Sequence, residues 1–336
     1  MVVAPPEIRA PVDVDLRVEI GSAAKIPLVL RNPVLVASGT FGYGTEYARL
    51  FDVQRLGAIV SKGITARPRR GNRGPRIVET PSGMLNAIGL QNIGVHKVIA
   101  KMAPLWAEWD VPVVVNIAGD TVDEFAYMAE HFEGVSGIAG IELNISCPNL
   151  WEGGRVIAED AATTSAIVEA VRSRTGLPLL VKLSPQVADI CGVARAAEAA
   201  GADAISLINT FVGMKIDTHT ARPVLANTTG GLSGPAIRPL AVWLVYLVSQ
   251  AVRIPIIGMG GIASVEDAVE FIMAGATAIQ VGTATFVEPR TASRIVEGLS
   301  DALLSRGCTR VADLVGRAHP GEAVVPSPIA TARNLG

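Results

Sequence analysis

The feature that most constrains the fold is an alternation of two kinds of segment between residues 34 and 305. Short apolar runs rich in Val and Ile alternate with longer Ala-rich stretches of helical periodicity, which is typical of βαβ units and a parallel sheet. The apolar runs lie at 34–38, 58–62, 111–117, 140–146, 178–184, 204–210, 254–260 and 278–284. The pattern predicts helices near 45–51, 95–109, 121–133, 160–174, 188–200, 236–252, 264–274 and 290–305. Eight strand–helix pairs predict an α/β protein with a closed (β/α)8 TIM barrel.

A doubly wound sheet is the main alternative for this alternation. It usually carries a G-x-G-x-x-G turn after its first strand. Gly39, Gly42 and Gly44 follow the first predicted strand, but their spacing differs from that motif. This spacing disfavours a dinucleotide-binding loop, so the barrel is preferred.

The segments around the barrel predict its accessory parts. Residues 13–20 alternate apolar and charged side chains as a half-buried strand does, and we expect a hairpin with 26–31 that caps the barrel bottom. The connections 63–94 and 211–235 are long, and such loops in compact barrels are usually functional. We predict one domain over 1–336, with an N-terminal arm and hairpin at 1–33, the barrel at 34–305 and a C-terminal tail at 306–336.

Charge and cysteine content argue against several classes of partner. The net charge of −2 lacks the basic field that supports nucleic-acid binding, and the arginine-rich run 67–76 is expected to be a solvated loop. Cys147, Cys191 and Cys308 are scattered, which predicts neither disulfides nor a sulfur-ligated metal or cluster. The N-terminus does not resemble a signal peptide, and the apolar stretch 240–248 is too short to span a bilayer. We therefore expect a cytoplasmic protein that binds no metal, nucleic acid or membrane.

Polar residues accumulate where five successive predicted strands end. They are Lys62, Asn116, Asn144, Lys182 and Asn209. Active sites of TIM barrels lie at the carboxyl ends of the strands, and strand alternation would point these side chains inward. Because an unsatisfied buried polar group costs about 1–3 kcal/mol, we expect a polar ligand at the barrel mouth.

Two glycine-containing loops predict a phosphate-bearing cofactor. Residues 258–262 follow the seventh strand and precede a helix that starts near Ser264, and residues 281–284 follow the eighth strand. Exposed backbone N–H groups and a helix N-terminus at this place commonly bind phosphate in TIM barrels. Tight turns without a ligand are the alternative interpretation.

Cys147 is the candidate base. It follows the fourth strand, lies between Asn144 and Asn149, and precedes a glycine-containing segment that could act as a lid. A thiol with a free pKa of about 8.5 can accept a proton from an activated carbon near neutral pH. Cys191 and Cys308 are interpreted as small buried apolar residues.

Nine segments together resemble one known family. They are NPVLVASGTFGYGTEY, GAIVSKGIT, ETPSGMLNAIGLQNIGV, ELNISCPN, VKLSPQVADI, LINTFVGMKID, GGLSGPAI, IIGMGGI and VGTATF. In order and spacing they resemble the catalytic subunits of class 1B dihydroorotate dehydrogenases, over about residues 15–300. A Ser at the base position, or a membrane-binding extension, would instead indicate the class 2 enzymes.

The resemblance implies a set of ligand contacts. FMN would bind with its phosphate on Gly260, Gly261, Gly282 and Thr283, and its ring near Ser38, Lys62, Gly63, Asn116, Asn144, Lys182, Ile208 and Gly234. Orotate or dihydroorotate would stack on the flavin and contact Lys62, Asn86, Ala87, Ile88, Gly89, Leu90, Asn144, Asn209 and Thr210. Cys147 would take the C5 proton of dihydroorotate while the C6 hydride goes to flavin N5, and Lys182 would stabilise negative charge on the reduced ring.

The resemblance also implies a place in metabolism and a partner. The reaction belongs to pyrimidine biosynthesis, and electrons would pass to NAD through a subunit with FAD and a [2Fe–2S] cluster, the chain forming a homodimer within a heterotetramer. Two other interpretations stay open. One is a fumarate-linked class 1A enzyme or a related pyrimidine-reducing subunit, and the other is a non-redox phosphate-binding barrel, either a lyase or an isomerase.

Overall fold

The computed structural model describes residues 13–21, 24, 26–145, 151–152, 155–156 and 160–320. The strands in chain order are β1 (Val18–Ile20), β2 (Leu28–Leu30), β3 (Val34–Val36), β4 (Ala58–Val60), β5 (Ile77–Thr80), β6 (Gly83–Asn86), β7 (Val113–Ile117), β8 (Gly140–Asn144), β9 (Trp151–Glu152), β10 (Arg155–Val156), β11 (Leu179–Lys182), β12 (Ala204–Leu207), β13 (Phe211–Gly213), β14 (Ile216–Asp217), β15 (Arg222–Pro223), β16 (Gly230–Ser233), β17 (Ile256–Met259) and β18 (Ala278–Val281).

A closed parallel barrel forms the centre of the molecule, as predicted. Its strands are β3, β4, β7, β8, β11, β12, β17 and β18, and β18 pairs with β3 to close the ring. Residues of these strands are buried on both faces, which explains the continuous Val, Ile and Leu runs in the sequence. The predicted (β/α)8 TIM barrel is therefore confirmed.

The helices on the outside of the barrel largely follow the predicted periodicity. They are α1 (Val95–Lys101), α2 (Ala103–Trp106), α3 (Val122–Phe132), α4 (Ala161–Arg172), α5 (Ile190–Ala199), α6 (Arg238–Ser249), α7 (Val265–Met273), α8 (Ala284–Val287) and α9 (Thr291–Leu304). Thr121, Asp160, Asp189 and Ser264 each accept a backbone hydrogen bond at the first turn of α3, α4, α5 and α7, respectively.

One predicted helix is wrong. The segment 45–51 contains only a 3-10 turn at Tyr47–Arg49. The ring of Tyr47 stacks on Phe41 with 4.1 Å between centroids, and its hydroxyl donates to the Thr40 carbonyl oxygen at 3.1 Å. These tertiary contacts hold the segment against the loop after β3, and the chain then returns within a few residues to β4.

The predicted N-terminal hairpin is confirmed. Strands β1 and β2 pair antiparallel, with Ile20 opposite Leu28, and Ile20 and Leu30 are buried in the main core. The backbone N–H of Ala24 donates to Asp203 Oδ1 at 3.1 Å, and Asp203 directly precedes β12. The hairpin therefore covers the end of the barrel at which the strands begin.

The C-terminal segment 308–320 packs against the same core. Cys308, Val311 and Leu314 are buried in the main apolar cluster. Backbone hydrogen bonds join Asp15 to 309–311, and Gly316 N–H donates to the carbonyl oxygen of Ile272 at the end of α7. The segment thus connects the N-terminal arm to the outer helices.

Both long connections contribute to a second, four-stranded sheet, which we call the roof sheet. Its strand order is β13, β16, β6 and β5, so strands from 63–94 pair with strands from 211–235. Leu85, Ala87 and Leu225 form a small apolar cluster, against which Val78 and Leu232 of this sheet pack. The two loops that the sequence marks as unusually long therefore build one structure beside the carboxyl ends of the barrel strands.

Candidate functional site

The five polar residues predicted at the strand ends lie at one end of the barrel. Asn116, Asn144 and Lys182 are almost fully buried, whereas Lys62 and Asn209 are half-buried. Lys182 pairs in register with Asn144 across β11 and β8. The predicted clustering of these side chains at the barrel mouth agrees with the barrel topology.

The amides in this group have hydrogen-bond partners within the protein, so they do not by themselves require the polar ligand that the sequence predicts. Asn116 Nδ2 donates to Glu142 Oε2 at 2.7 Å, Asn144 Nδ2 donates to Asn116 Oδ1 at 3.5 Å, and Asn209 Nδ2 donates to Asn144 Oδ1 at 3.4 Å. The sequence argument missed Glu142, which is fully buried inside the barrel. A carboxylate within an apolar strand was the signal that could have identified it.

Glu142 also accepts hydrogen bonds from two further strands. Ser206 Oγ donates to Oε1 at 2.9 Å, and Gln280 Nε2 donates to the same oxygen at 2.8 Å. Strands β7, β12 and β18 thereby contact one carboxylate of β8, which is possible only in the barrel interior. The three partners are neutral, and Glu142 forms no ion pair with any described residue.

The two lysines at the mouth differ from the amides. Within the described part of the chain, neither the Lys62 nor the Lys182 ammonium group forms a hydrogen bond or an ion pair. Burial lowers the pKa of Lys62, and the positive charge of Arg76 lowers it further. Because a buried cation without an acceptor is costly, the mouth favours an anionic or carbonyl-rich ligand.

The loops after β17 and β18 approach each other through Gly234. A Cβ on Gly261 would lie 2.8 Å from the Gly234 carbonyl oxygen, and a Cβ on Gly234 would lie 3.6 Å from Thr283 Cγ2. Gly260, Gly261 and Gly234 have φ values of 130°, 81° and 98°, a region that favours glycine. Thr283 Oγ1 donates to Ser233 Oγ at 2.8 Å, which fixes the β18 loop to the roof sheet.

The backbone N–H groups of these loops could cradle a phosphate. Among the described residues, no acceptor is paired with the N–H of Gly260, Gly261, Gly282 or Thr283. The first turn of α7 differs from the expectation, because Asp267 Oδ2 accepts from Ala263 N–H and Ser264 N–H. The available donors therefore belong to the glycine loops rather than to the helix N-terminus.

The predicted substrate segment Asn86–Leu90 continues from roof strand β6. Asn86 Nδ2 donates to the Gly231 carbonyl oxygen at 3.3 Å, and a Cβ on Gly231 would collide with Thr210. Gly89 and Leu90 have φ values of 72° and 52°, and the second is strained for a residue with a side chain. The roof thus places this segment beside Thr210.

Gly63 lies close to both the Asn116 amide and the side chain of Leu90. A Cβ at this position would lie 3.0 Å from Asn116 Oδ1 and 3.3 Å from Leu90 Cδ2. A side chain at this position would therefore push Leu90 away from the Asn116 amide. Ser38 is buried two residues after β3, and Ile208 Cγ1 would lie 3.5 Å from a Cβ on Gly260.

Three predictions concern features beyond these contacts. Cys147 lies outside the described residues. Within the described ranges, no cluster of three or more His, Cys, Asp or Glu side chains could hold a metal ion. None of the helices found there is long and apolar enough to cross a membrane.

The fold is a (β/α)8 barrel, and within the described residues its mouth carries two lysine ammonium groups and four backbone N–H groups of the loops after β17 and β18 that have no acceptor. A family model described as dihydroorotate dehydrogenase matches residues 24–303. The chain therefore belongs to the dihydroorotate dehydrogenase family.

Individual relatives agree with this assignment over nearly their whole length. A protein of Trichlorobacter lovleyi named dihydroorotate dehydrogenase B (NAD(+)), catalytic subunit, is 52% identical over 90% of this chain and 97% of that protein. Proteins of the same name from Pelobacter propionicus and Porphyromonas gingivalis are 53% and 50% identical, over 86% and 89% of this chain and 95% and 96% of those proteins.

Proposed function

We propose that this chain is the catalytic subunit of an NAD-linked dihydroorotate dehydrogenase, which oxidises dihydroorotate to orotate in pyrimidine biosynthesis. The observation that carries the proposal is the agreement of about half of all positions with catalytic subunits of that name, over nearly their full length. Two ammonium groups without acceptors at the barrel mouth add physical support, because orotate carries a carboxylate and ring carbonyl groups.

FMN fits the groups present at the mouth. The N–H groups of Gly260, Gly261, Gly282 and Thr283 would hold its phosphate, because they lack partners among described residues and an anion binds well to such donors. Ser38, Lys62, Gly63, Asn116, Asn144, Lys182, Ile208 and Gly234 would surround its ring. When bound, FMN supplies the hydride acceptor for the C6 position of dihydroorotate.

The residues of this chain would bind and orient the substrate. Lys62 contributes positive charge, and Asn144 and Asn209 contribute hydrogen bonds whose direction is set by their neighbours. Asn86, Ala87, Ile88, Gly89, Leu90 and Thr210 would complete the substrate site beneath the roof sheet. Lys182, buried at the end of β11, would stabilise negative charge that develops beside it.

Cys147 is proposed as the general base, with its Sγ taking the proton from C5. The support is its sequence position, three residues after Asn144 at the end of β8. A free thiol titrates near pH 8.5, so a modest lowering of its pKa would make a thiolate available near neutral pH.

A second protein is required by the proposed NAD linkage. The sequence has no G-x-G-x-x-G turn, and its three scattered cysteines do not suit an iron–sulfur cluster. We propose that the partner carries FAD and a [2Fe–2S] cluster, that the chain forms a homodimer within a heterotetramer, and that the assembly works in the cytoplasm.

Purification of the chain alone tests the core of the proposal. The protein should be yellow, release free FMN on heating, and lose its visible flavin absorbance when dihydroorotate is added without oxygen. A colourless protein after incubation with excess FMN, release of FAD, or an unchanged spectrum with dihydroorotate would contradict the proposal.

A further inference from the structure

The buried carboxylate of Glu142 stands at one end of a directional chain of hydrogen bonds. A carboxylate can only accept, so the atom of Asn116 that lies 2.7 Å from it must be Nδ2. Asn116 then presents Oδ1 toward Asn144, and this oxygen is 3.5 Å from Asn144 Nδ2. The orientation of the Asn116 amide is therefore dictated by Glu142.

The other end of the chain enforces the same direction. The backbone N–H of Thr210 donates to Asn209 Oδ1 at 2.8 Å, so Asn209 must present Nδ2 toward Asn144. That nitrogen is 3.4 Å from Asn144 Oδ1. An obligatory donor at one end and an obligatory acceptor at the other fix all three amides in one orientation.

The other contacts of Glu142 show that ion pairing does not explain its burial. Its partners Asn116, Ser206 and Gln280 are neutral, and burying a carboxylate costs free energy that hydrogen bonds must offset. Gln280 Oε1 has no partner among the described residues, so the orientation of Gln280 also follows from its bond to Glu142. Because both oxygens of the Glu142 carboxylate are acceptors, the side-chain amides that contact it must turn their NH2 groups toward it.

We infer that Glu142 is a positioning residue, which fixes the donor and acceptor sense of Asn116 and Asn144 and thereby supports binding of orotate at the barrel mouth. This inference rests on the proposed function. Asn116 and Asn144 are proposed ligand contacts, and a reversed amide would exchange the donor and the acceptor that it offers to its neighbours and to the ligand. Glu142 itself lies deeper in the barrel and acts through Asn116.

The main test replaces Glu142 by leucine in the FMN-loaded protein and measures orotate binding from the change in the flavin spectrum. E142L should weaken orotate binding by about tenfold or more, because Asn116 Nδ2 then faces an apolar side chain and the amide turns away. If E142L does not fold, E142M replaces it, since an unbranched side chain adapts to the same space.

Two variants separate orientation from packing and from charge. S206A removes another donor to Glu142 but leaves the Asn116 contact, and it should bind orotate like the wild type even if its thermal unfolding temperature falls. E142Q should bind within about threefold of the wild type, because its amide oxygen can accept from Asn116 while its NH2 group faces Ser206 Oγ and a reoriented Gln280 Oε1.

The outcomes are distinguishable. Wild-type affinity in E142L, an equal loss in S206A, or a loss in E142Q as large as in E142L would each overturn the inference. Failure of the wild-type protein to bind FMN or orotate would instead overturn the proposed function, on which the inference rests.

Discussion

Gly282 offers a sharp test of the proposed phosphate position. The space around it accommodates a methyl group, so substitution by alanine should affect FMN binding without affecting stability. A Cβ there would meet Ala37 Cβ at 3.6 Å and Thr40 Cγ2 at 4.0 Å, which are ordinary van der Waals contacts. Its φ also lies outside the left-handed region. The free energy of unfolding of the FMN-free protein should therefore change by no more than about 0.5 kcal/mol in G282A.

FMN binding should respond differently. If the added methyl group displaces a phosphate oxygen from the N–H groups of Gly282 and Thr283, the loss of one hydrogen bond to a charged group costs about 1.5–3 kcal/mol. Since about 1.4 kcal/mol corresponds to a tenfold change, G282A should weaken FMN binding roughly 10- to 100-fold.

The assay is titration of the FMN-free protein with FMN, followed by flavin fluorescence, beside thermal unfolding of the same sample. G74A is the matched control, because Gly74 lies in the arginine-rich loop and a Cβ there has no neighbour within 4 Å, so neither quantity should change. G261A should lower both, since its Cβ would lie 2.8 Å from the Gly234 carbonyl oxygen at a φ of 81°. Wild-type FMN affinity in G282A would show that the phosphate does not lie against this loop.

Three further predictions concern the reaction. C147A should bind orotate nearly normally while dihydroorotate oxidation slows about a hundredfold or more, as expected for loss of a general base, and C191A should match the wild type; an unchanged rate of flavin reduction in C147A would remove Cys147 from the mechanism. Because burial and the positive charge of Arg76 lower the pKa of Lys62, orotate affinity should fall as pH rises through that lowered pKa. R76M should move this fall to higher pH, and K62M should remove it. A pH profile of orotate affinity in K62M identical to that of the wild type would contradict the role of Lys62. The isolated chain should reduce artificial dyes but not NAD until its partner is co-expressed, and rapid NAD reduction by the single chain, or efficient turnover with fumarate, would favour another class of enzyme.

The barrel could be predicted from sequence because its strands are buried on both faces. A strand buried on both faces appears in the sequence as a continuous apolar run, such as the one that ends at Lys62. Such a run can be recognised without knowing which strands pair with it. The helix predicted at 45–51 is wrong because the pattern does not contain the stacking of Tyr47 on Phe41, which decides the local conformation.

The polar site was only partly predictable. Strand ends identify Asn116 and Asn144, since position along a barrel strand is a local property. The contacts of Glu142 involve residues 26, 64 and 138 positions away, and no periodicity pairs such residues. The roof sheet escaped prediction for the same reason, because its short, glycine-rich strands come from two distant loops.

Closure of the barrel by β18 against β3 has a consequence for synthesis of the chain. Ile279 pairs with Val34, so one edge of the first barrel strand has no partner until synthesis has passed residue 279. The pairing of Asp15 with 309–311 comes later still. Until then the nascent chain carries exposed strand edges, which are prone to pair with other chains. Ribosomes that stop before residue 278 would therefore release products prone to aggregate, and efficient production of this protein depends on completing its last strand.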